Sequence, residues 1–346
     1  MPRVVKYCTG LLIALVGALL AKALSLPLPW ILGALIATAL FKMGGLPSAC
    51  PGLLRNAGQW VIGTSLGLYF TPHMLRVIGH NFPYIVAGML FALLLGILGS
   101  IILHRLAGAD FKTAWFSSAI GGASEMANLA ERHKARVDLV ASAHSLRMLM
   151  VVVSIPFAFE FLGIRGTDTS AFDTTRFFDP AGFAMLLAIT LVAGLVFRFL
   201  HLPNPWVLGP MLATLLLTSQ EITLTHLPTE ITNVGQLFIG WSLGDKFGPD
   251  FFRKAPRFLG FVAVANTLNI ILAFGFGYCV HVVSDLPFAT LVLGTSPGGI
   301  AEMAITAKVL MLGAPVVSSF HVVRMVFILL VTGPLYVPLR RVLERN

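Results

Sequence analysis

Twelve apolar segments, separated by short polar stretches, constrain the fold of this chain more than any single motif. Only 11% of the residues are charged and 57% are hydrophobic, whereas a soluble domain has about 25% charged residues. Most segments approach the ~20 residues that a helix needs to cross a bilayer. The pattern therefore predicts an all-α polytopic membrane protein with about 10–12 membrane segments. The segments lie near residues 4–24, 28–43, 57–71, 83–104, 112–131, 137–161, 181–200, 204–219, 233–247, 257–281, 287–310 and 314–339.

The second half of the sequence repeats the first at an offset of 176 or 177 residues. Residues 29–33 (PWILG) return as residues 205–209 (PWVLG). A near-constant offset over several motifs indicates an internal duplication. We predict two homologous repeats, residues 1–162 and 180–346, joined by a polar linker at 163–179. The same offset relates Gln59 to Gln236, Gly121-Gly122 to Gly298-Gly299, Glu125 to Glu302, His144 to His321 and Arg147 to Arg324.

Each repeat has a pair of glycines inside an apolar segment, and in the second repeat a proline precedes the pair. In a soluble protein such a run would be a surface turn. Non-helical backbone at membrane depth is tolerated only where it is buried in protein or lines a cavity. We therefore predict that each glycine pair breaks a helix beside a substrate-binding site. The candidate residues are Gly121, Gly122 and Ser124 in the first repeat and Ser296, Gly298 and Gly299 in the second.

Glu125 and Glu302 follow the glycine pairs by three residues, in the first turn after each predicted break. Exposed backbone N–H groups favour negative charge at that position. An ionisable group at the bilayer centre costs about 2.5–3.5 kcal/mol, so a partner or a function is expected. We predict that both glutamates couple transport to an ion. The alternative is a buried Glu–Arg pair that holds the repeats together.

His144 and Arg147 are three residues apart on a predicted helix, as are His321 and Arg324, so each pair shares a face. Arginine suits bidentate binding of carboxylate or phosphate, and histidine titrates near neutral pH. We predict substrate binding for the arginines and ion coupling for the histidines. In the alternative interpretation, the arginines only neutralise the glutamates and the histidines are hydrogen-bonded packing residues.

Gln59 and Gln236 each begin a Gln-xxx-Gly-xxx-Gly stripe. Glycines at this spacing let two membrane helices approach closely, so packing is one interpretation of the stripe. The other is that the glutamines reach a central cavity, and we include both as candidates for substrate binding.

No motif indicates an enzyme, a cofactor or a metal site. The sequence has no HExxH, GxxxxGK[ST] or GxSxG motif, and its three cysteines are widely spaced. We expect a protein that is not an enzyme and has no cofactor and no metal. The alternative is a metal-dependent membrane oxidoreductase in which the symmetric histidines and glutamates are ligands.

At the motifs GGASEMA (121–127) and GGIAEMA (298–304), the sequence resembles the AbrB family of bacterial membrane proteins. Members are often labelled as an ammonia monooxygenase or as a regulator. The resemblance covers essentially the whole chain, and the family looks like a branch of the cation/proton antiporter and anion transporter superfamily. This implies inverted repeats with two discontinuous helices that cross around the substrate. The first break departs from the Ser-Pro-Gly-Gly form, because it has Ala119-Ile120 before the glycines.

The distribution of Lys and Arg residues indicates how the chain is oriented in the membrane. By the positive-inside rule, loops rich in Lys and Arg lie in the cytoplasm. The charge pattern alone favours parallel repeats, which conflicts with the inversion that the resemblance implies. The clusters are Arg132, Lys134 and Arg136; Arg253, Lys254 and Arg257; and Arg340, Arg341 and Arg345.

These features together predict a secondary transporter of the bacterial inner membrane. We expect it to move a small anionic organic solute by alternating access, coupled to H⁺ or Na⁺. Membrane lipid and a second copy of the chain, in a homodimer, are the other expected partners. Direct nucleic-acid binding is not expected, because no loop is large enough for a DNA-binding domain. A membrane regulator that acts indirectly on gene expression is an alternative.

Overall fold

The computed structural model describes residues 3–166, 178–253 and 255–343. These residues form fifteen α-helices and no β-strand, which confirms the all-α prediction. Much of the predicted linker, including Asp168, Asp173 and Arg176, lies outside the described residues. The helices are α1 Arg3–Ala23, α2 Pro29–Met43, α3 Gly52–Gly67, α4 Pro72–His80, α5 Phe82–Arg105, α6 Phe111–Ser118, α7 Ala123–Arg132, α8 Val137–Phe161, α9 Pro180–Phe199, α10 Pro205–Ser219, α11 Thr229–Gly244, α12 Pro256–Val283, α13 Phe288–Thr295, α14 Ile300–Val309 and α15 Ala314–Leu343.

Six of the described helices, α1, α5, α8, α9, α12 and α15, are long and apolar enough to cross a membrane. Their outward faces carry large apolar side chains, such as Leu12 at 62% exposure and Phe199 at 80%. Such faces suit a hydrocarbon solvent, so the chain is a multi-pass membrane protein. Helices α2 and α10 have 15 residues each. At 1.5 Å per residue they reach about 22 Å, less than the hydrocarbon thickness of about 30 Å.

Helix boundaries differ from the sequence prediction mainly at α3 and α11. These helices begin at Gly52 and Thr229, before the predicted apolar segments at 57 and 233. Their first turns include polar residues such as Arg55 and Glu230, which lower the local hydropathy without disfavouring a helix. The short helix α4 was not predicted for the same reason, since it contains Arg76 and three histidine or glycine positions.

The chain turns into α2 and α10 through the same unusual backbone conformation. Leu28 and Asn204 have left-handed φ values of 46° and 50°, and Pro29 and Pro205 follow at the first helical position. Few residues other than glycine adopt this region, and proline has the φ that a first helical turn needs. The left-handed conformation also occurs at the pair Ser25 and His201 and at the pair Lys134 and Met311.

The described chain divides into two compact units. Unit 1 comprises Met1–Gly79, Pro156–Asp250 and Ala304–Pro315. It contains α1–α3 and α9–α11, which pack through glycines. A side-chain carbon on Gly63 would collide with the carbonyl of Val207, and one on Gly240 with the carbonyl of Ile31. The close approach that the Gln-xxx-Gly-xxx-Gly stripes predicted is therefore present in α3 against α10 and in α11 against α2.

A polar cluster in unit 1 surrounds Asp245, at the end of α11. Lys42 Nζ donates to Asp245 Oδ1 at 2.5 Å and to its backbone carbonyl at 2.6 Å. The backbone N–H of Cys50 donates to Asp245 Oδ2 at 3.2 Å. The carboxylate thus joins the end of α2, the end of α11 and the loop that precedes α3.

Unit 2 comprises His80–Ile155, Phe251–Met303 and Val316–Asn346. Its two long helices α5 and α12 pack side by side and run antiparallel. Near one end, the Tyr84 hydroxyl donates to the carbonyl of Val283 at 2.6 Å. Near the other, Arg257 Nη2 donates to the carbonyl of Leu106 at 3.1 Å. Between these ends, Phe91 stacks on Phe276 with ring centroids 4.2 Å apart.

Candidate functional site

Two short non-helical segments in unit 2 contain the predicted glycine pairs. We call residues 119–122, between α6 and α7, the first break, and residues 296–299, between α13 and α14, the second break. The residues after α6 and α13, Ala119 and Ser296, have ψ values of 127° and 148°, so the chain is extended there. Extension frees backbone carbonyl groups that a continuous helix would have satisfied.

The two predicted arginines bind those carbonyl groups. Arg147 Nη1 and Nη2 donate to the carbonyls of Ala119 and Gly121 at 2.9 and 3.0 Å. Both guanidinium groups are buried, with each arginine only 5% exposed. A positive charge at the carbonyl end of a helix opposes the helix dipole. In the second break, Arg324 Nη1 and Nη2 donate to the carbonyls of Ser296 and Gly298 at 2.5 and 2.6 Å.

The two predicted histidines bind carbonyl groups one turn earlier in α6 and α13. His144 Nε2 lies 2.8 Å from the carbonyl oxygen of Phe116, and His321 Nε2 lies 2.9 Å from that of Leu293. Both histidines are fully buried. In addition, Arg324 Nη2 lies 2.8 Å from His321 Nδ1. Each histidine therefore joins the helix that carries it to the short helix before the break.

The second glycine of each pair makes room for a glutamate. A side-chain carbon on Gly122 would collide with the carboxylate of Glu125, and one on Gly299 would collide with that of Glu302. Each carboxylate thus lies over the backbone at the start of its helix, where N–H groups favour negative charge. The two environments differ, because Glu302 is only 6% exposed and Glu125 is half-buried.

The first glycine of each pair makes room for a methionine that the sequence analysis did not single out. A side-chain carbon on Gly121 would lie 2.8 Å from Met126 Cε, and one on Gly298 would lie 2.5 Å from Met303 Cγ. Both methionine side chains are fully buried. Their recurrence after the glycine pairs was the available sequence signal.

The two predicted serines occupy different environments. Ser296 is fully buried, and its hydroxyl donates to the carbonyl of Leu293 at 2.8 Å. Ser124, one position before Glu125, is exposed. The first break is therefore the more open of the two, since Gly121 and Gly122 are also half-buried while Gly298 is buried.

The two breaks lie close together within unit 2. A side-chain carbon on Gly299 would lie 3.2 Å from Met148 Cε, beside Arg147 on α8. One on Gly121 would lie 3.2 Å from Ile328 Cγ2, on α15. Met148 recurs in the sequence as Met325 at the repeat offset, whereas no motif pointed to Ile328.

The remaining predicted site residues, Gln59 and Gln236, belong to unit 1. Gln59 on α3 is half-buried, and Gln236 on α11 is buried at 6% exposure. The other twelve predicted residues all belong to unit 2. Substrate binding by the glutamines stays a prediction. Among the residues that the structure describes, no three His, Cys, Asp or Glu side chains form a group able to hold a metal ion.

Comparison with known proteins assigns the family. The family model described as "Transition state regulatory protein AbrB" matches residues 30–339. The chain belongs to the AbrB family. One similar relative is "Putative regulator AbrB" of Escherichia coli (strain K12), which is 28% identical over 90% of each chain. Another is "Uncharacterized protein YhjN" of Bacillus subtilis (strain 168), which is 26% identical over 94% of this chain and 90% of the relative. The AbrB-family match covers both helix breaks and both arginines.

Proposed function

We propose that this AbrB-family chain is a secondary transporter that moves a small anionic organic solute by alternating access, coupled to H⁺ or Na⁺. The observation that carries the proposal is the pair of buried arginines, Arg147 and Arg324, each of which binds the backbone carbonyls of one break. Irregular backbone at membrane depth is typical of transporter sites. In this proposal, α6 with α7 and α13 with α14 are two discontinuous crossing helices.

The helix directions support two inverted repeats. Corresponding helices of an inverted pair point in opposite directions, and α5 and α12 run antiparallel. The left-handed residues Leu28 and Asn204 recur at the offset of the sequence repeat, as do the carbonyl contacts of Arg147 and Arg324. We therefore favour inversion over the parallel arrangement that the loop charges indicated, with the repeats at 1–162 and 180–346.

The charge at the breaks supports an anionic solute. The Nη atoms of Arg147 and Arg324 are used by carbonyl groups, whereas both Nε–H groups are buried without a hydrogen-bond partner in the described part of the protein. The helix starts of α7 and α14 add backbone N–H groups, which also favour anions. A carboxylate-bearing solute fits these donors.

Coupling to a cation is assigned to Glu125 and Glu302. They stand at equivalent places after the two breaks, but Glu302 is buried and Glu125 is half-buried. Carboxylates bind H⁺ or Na⁺. A carboxylate beside an anion site links the binding of the cation to the binding of the solute. A protein of this kind belongs in the bacterial inner membrane, alone or as a homodimer, and performs no catalysis. The regulator names of the family are then explained by solute levels, without direct nucleic-acid binding.

A ligand screen tests the proposal. Small mono- and dicarboxylates are added to the purified protein at several pH values, and the apparent Tm is recorded. A ligand at 100 times its Kd stabilises the folded state by about 2.7 kcal/mol. We expect at least one carboxylate to raise the Tm of the wild type, and Glu302→Gln and Arg147→Lys to remove the rise. Arg136→Gln, which changes an exposed arginine paired with Asp138, is the control and should keep it.

Two outcomes contradict the proposal. If a carboxylate raises the Tm equally in the wild type, Glu302→Gln and Arg147→Lys, its site lies elsewhere. If no carboxylate binds and a cationic or neutral solute does, the anion assignment is wrong. Uptake of the radiolabelled carboxylate into proteoliposomes, driven by an imposed pH or Na⁺ gradient, then separates transport from binding alone.

A further inference from the structure

We propose that His321 is a positioning residue that fixes Arg324 at the second break, and that it does not carry the coupling proton. The inference rests on the proposed function, because it assigns coupling to the glutamates of the same site. It also narrows the sequence prediction, in which His144 and His321 were coupling residues alongside Glu125 and Glu302.

The hydrogen bonds of His321 determine where its single proton lies. A guanidinium group has donors and no acceptor, so Arg324 Nη2 must donate to His321 Nδ1 across their 2.8 Å contact. Nδ1 therefore has no proton. The carbonyl of Leu293 can only accept, so Nε2 must carry the proton that it donates over 2.9 Å. Both ring nitrogens are used, and a second proton on the ring would break the contact with Arg324.

The partner of Nε2 is the carbonyl of Leu293, which accepts a hydrogen bond and has no proton to pass on. Among the charged groups, Arg324 contacts the ring from the same helix, Glu302 on α14 is the acid of the same break, and Arg147 on α8 lies at the other break. Helices α5 and α12, which pack against α13, contain no Asp, Glu or Lys. Their arginines and histidines stand near helix ends and are Arg105, Arg257, His104 and His281; their other ionisable residues are Tyr84, Tyr278 and Cys279.

The contact has a consequence for the arginine. Arg324 Nη2 divides its two N–H groups between the carbonyl of Gly298 and Nδ1 of His321. These two hydrogen bonds fix the orientation of the guanidinium plane of Arg324, and the Nε–H group therefore points in a single direction. A donor held in one geometry loses less entropy when a ligand binds. His144 makes the equivalent Nε2 contact with Phe116 in the first repeat.

Nitrogen NMR of the histidine ring tests the assignment. The full-length protein, labelled with ¹⁵N-histidine, is reconstituted in lipid bilayers and measured from about pH 6 to pH 8, where an ordinary histidine titrates. The His321 signals are assigned as those missing from His321→Gln, or from His321→Asn if the first variant does not fold. We expect a neutral ring with the proton on Nε2 at every pH. In Arg324→Lys, the Nδ1 signal should move towards that of an unbonded nitrogen.

An imidazolium signal from His321 within that range, or a proton on Nδ1, overturns the proposal. A second measurement uses the carboxylate uptake assay, in which His321→Gln should leave the pH of half-maximal uptake unchanged, whereas Glu302→Gln should abolish uptake as it abolishes binding. A shifted midpoint in His321→Gln also overturns the proposal. The NMR result needs no solute, so a failed transport assay with a neutral His321 would reject the transporter function and leave the positioning contact intact.

Discussion

At the scale of single residues, Cys50 shows how burial and a neighbouring charge act on one group. It lies in the loop before α3, outside the long apolar helices, and is half-buried. Loss of water and the nearby Asp245 carboxylate raise the pKa of its thiol from 9.0 to about 12. At pH values between these two pKa values, the Cys50 thiol is deprotonated in the unfolded chain but still protonated in the folded chain. The free energy of unfolding therefore falls as the pH rises.

The raised pKa predicts that the Cys50 thiol reacts slowly with alkylating reagents. In a Cys8→Ser, Cys279→Ser background, iodoacetamide should modify Cys50 at pH 8 far more slowly than a free thiol, because the thiolate is the nucleophile. Asp245→Asn should speed the reaction, since it removes the charge that disfavours the thiolate. Mass spectrometry of the modified fraction against time gives the rates. Equal rates for Cys50 and a free thiol would contradict the assigned environment.

Repetition selected the candidate residues Arg147 and Arg324, but the sequence did not show their partners. It left open whether the two guanidinium groups bind a substrate or neutralise Glu125 and Glu302. In the structure both guanidinium groups bind backbone carbonyls. Every residue has a carbonyl, so the sequence contains no signal for this contact. Only the break, which frees the carbonyls, makes it possible.

At the scale of helices, close packing through glycine determines which pairs form unit 1. Helix α3 lies against α10, and α11 lies against α2, each at two glycines one turn apart. The Gln-xxx-Gly-xxx-Gly spacing predicted close packing of α3 and α11. It did not predict which helices are their partners, because a stripe of small residues permits close contact with many different helices. Helix α4 and the first turns of α3 and α11 were missed, since their polar residues mask a helical pattern.

A larger residue at these contacts should destabilise the protein. In Gly63→Ala or Gly240→Ala, the new carbon meets a backbone carbonyl that cannot rotate away. We expect a loss of about 1–3 kcal/mol, as for overpacked cores. Gly275→Ala in α12 is the matched control, because no atom lies within 4 Å of its added carbon. The control should be neutral or stabilising by about 0.5–1 kcal/mol.

Denaturation in mixed detergent micelles measures these differences. If Gly63→Ala were as stable as the wild type while Gly275→Ala behaved as expected, the close approach of α3 to α10 would be wrong.

At the scale of the whole molecule, each compact unit draws helices from both halves of the sequence. The division at 163–179, which the repeated motifs predict, separates two stretches of the sequence, whereas the two units describe how the chain packs. Repeated motifs can be recognised from the sequence alone. The packing depends on long-range contacts such as Lys42 with Asp245, which local patterns do not encode.

The proposed inversion of the repeats predicts that two equivalent helix ends lie on opposite sides of the membrane. Leu106 directly follows α5 and is 52% exposed, and Val283 is the last residue of α12 and is 65% exposed. In a variant without the three native cysteines, Leu106→Cys and Val283→Cys should react with a membrane-impermeant maleimide from opposite sides. Labelling of intact cells and of inverted vesicles provides the measurement. If both positions react from the same side, the repeats are parallel.

The sequence separation of the arginine–carbonyl contacts also indicates the order in which contacts form while the chain is being synthesised. Arg147 binds carbonyls that precede it by 28 and 26 residues, and Arg324 does the same in its own half. Closing so short a loop costs little entropy. The first break can therefore be secured while the ribosome is still translating the second half. The contact of Lys42 with Asp245, 203 residues later, must wait until α11 has been made.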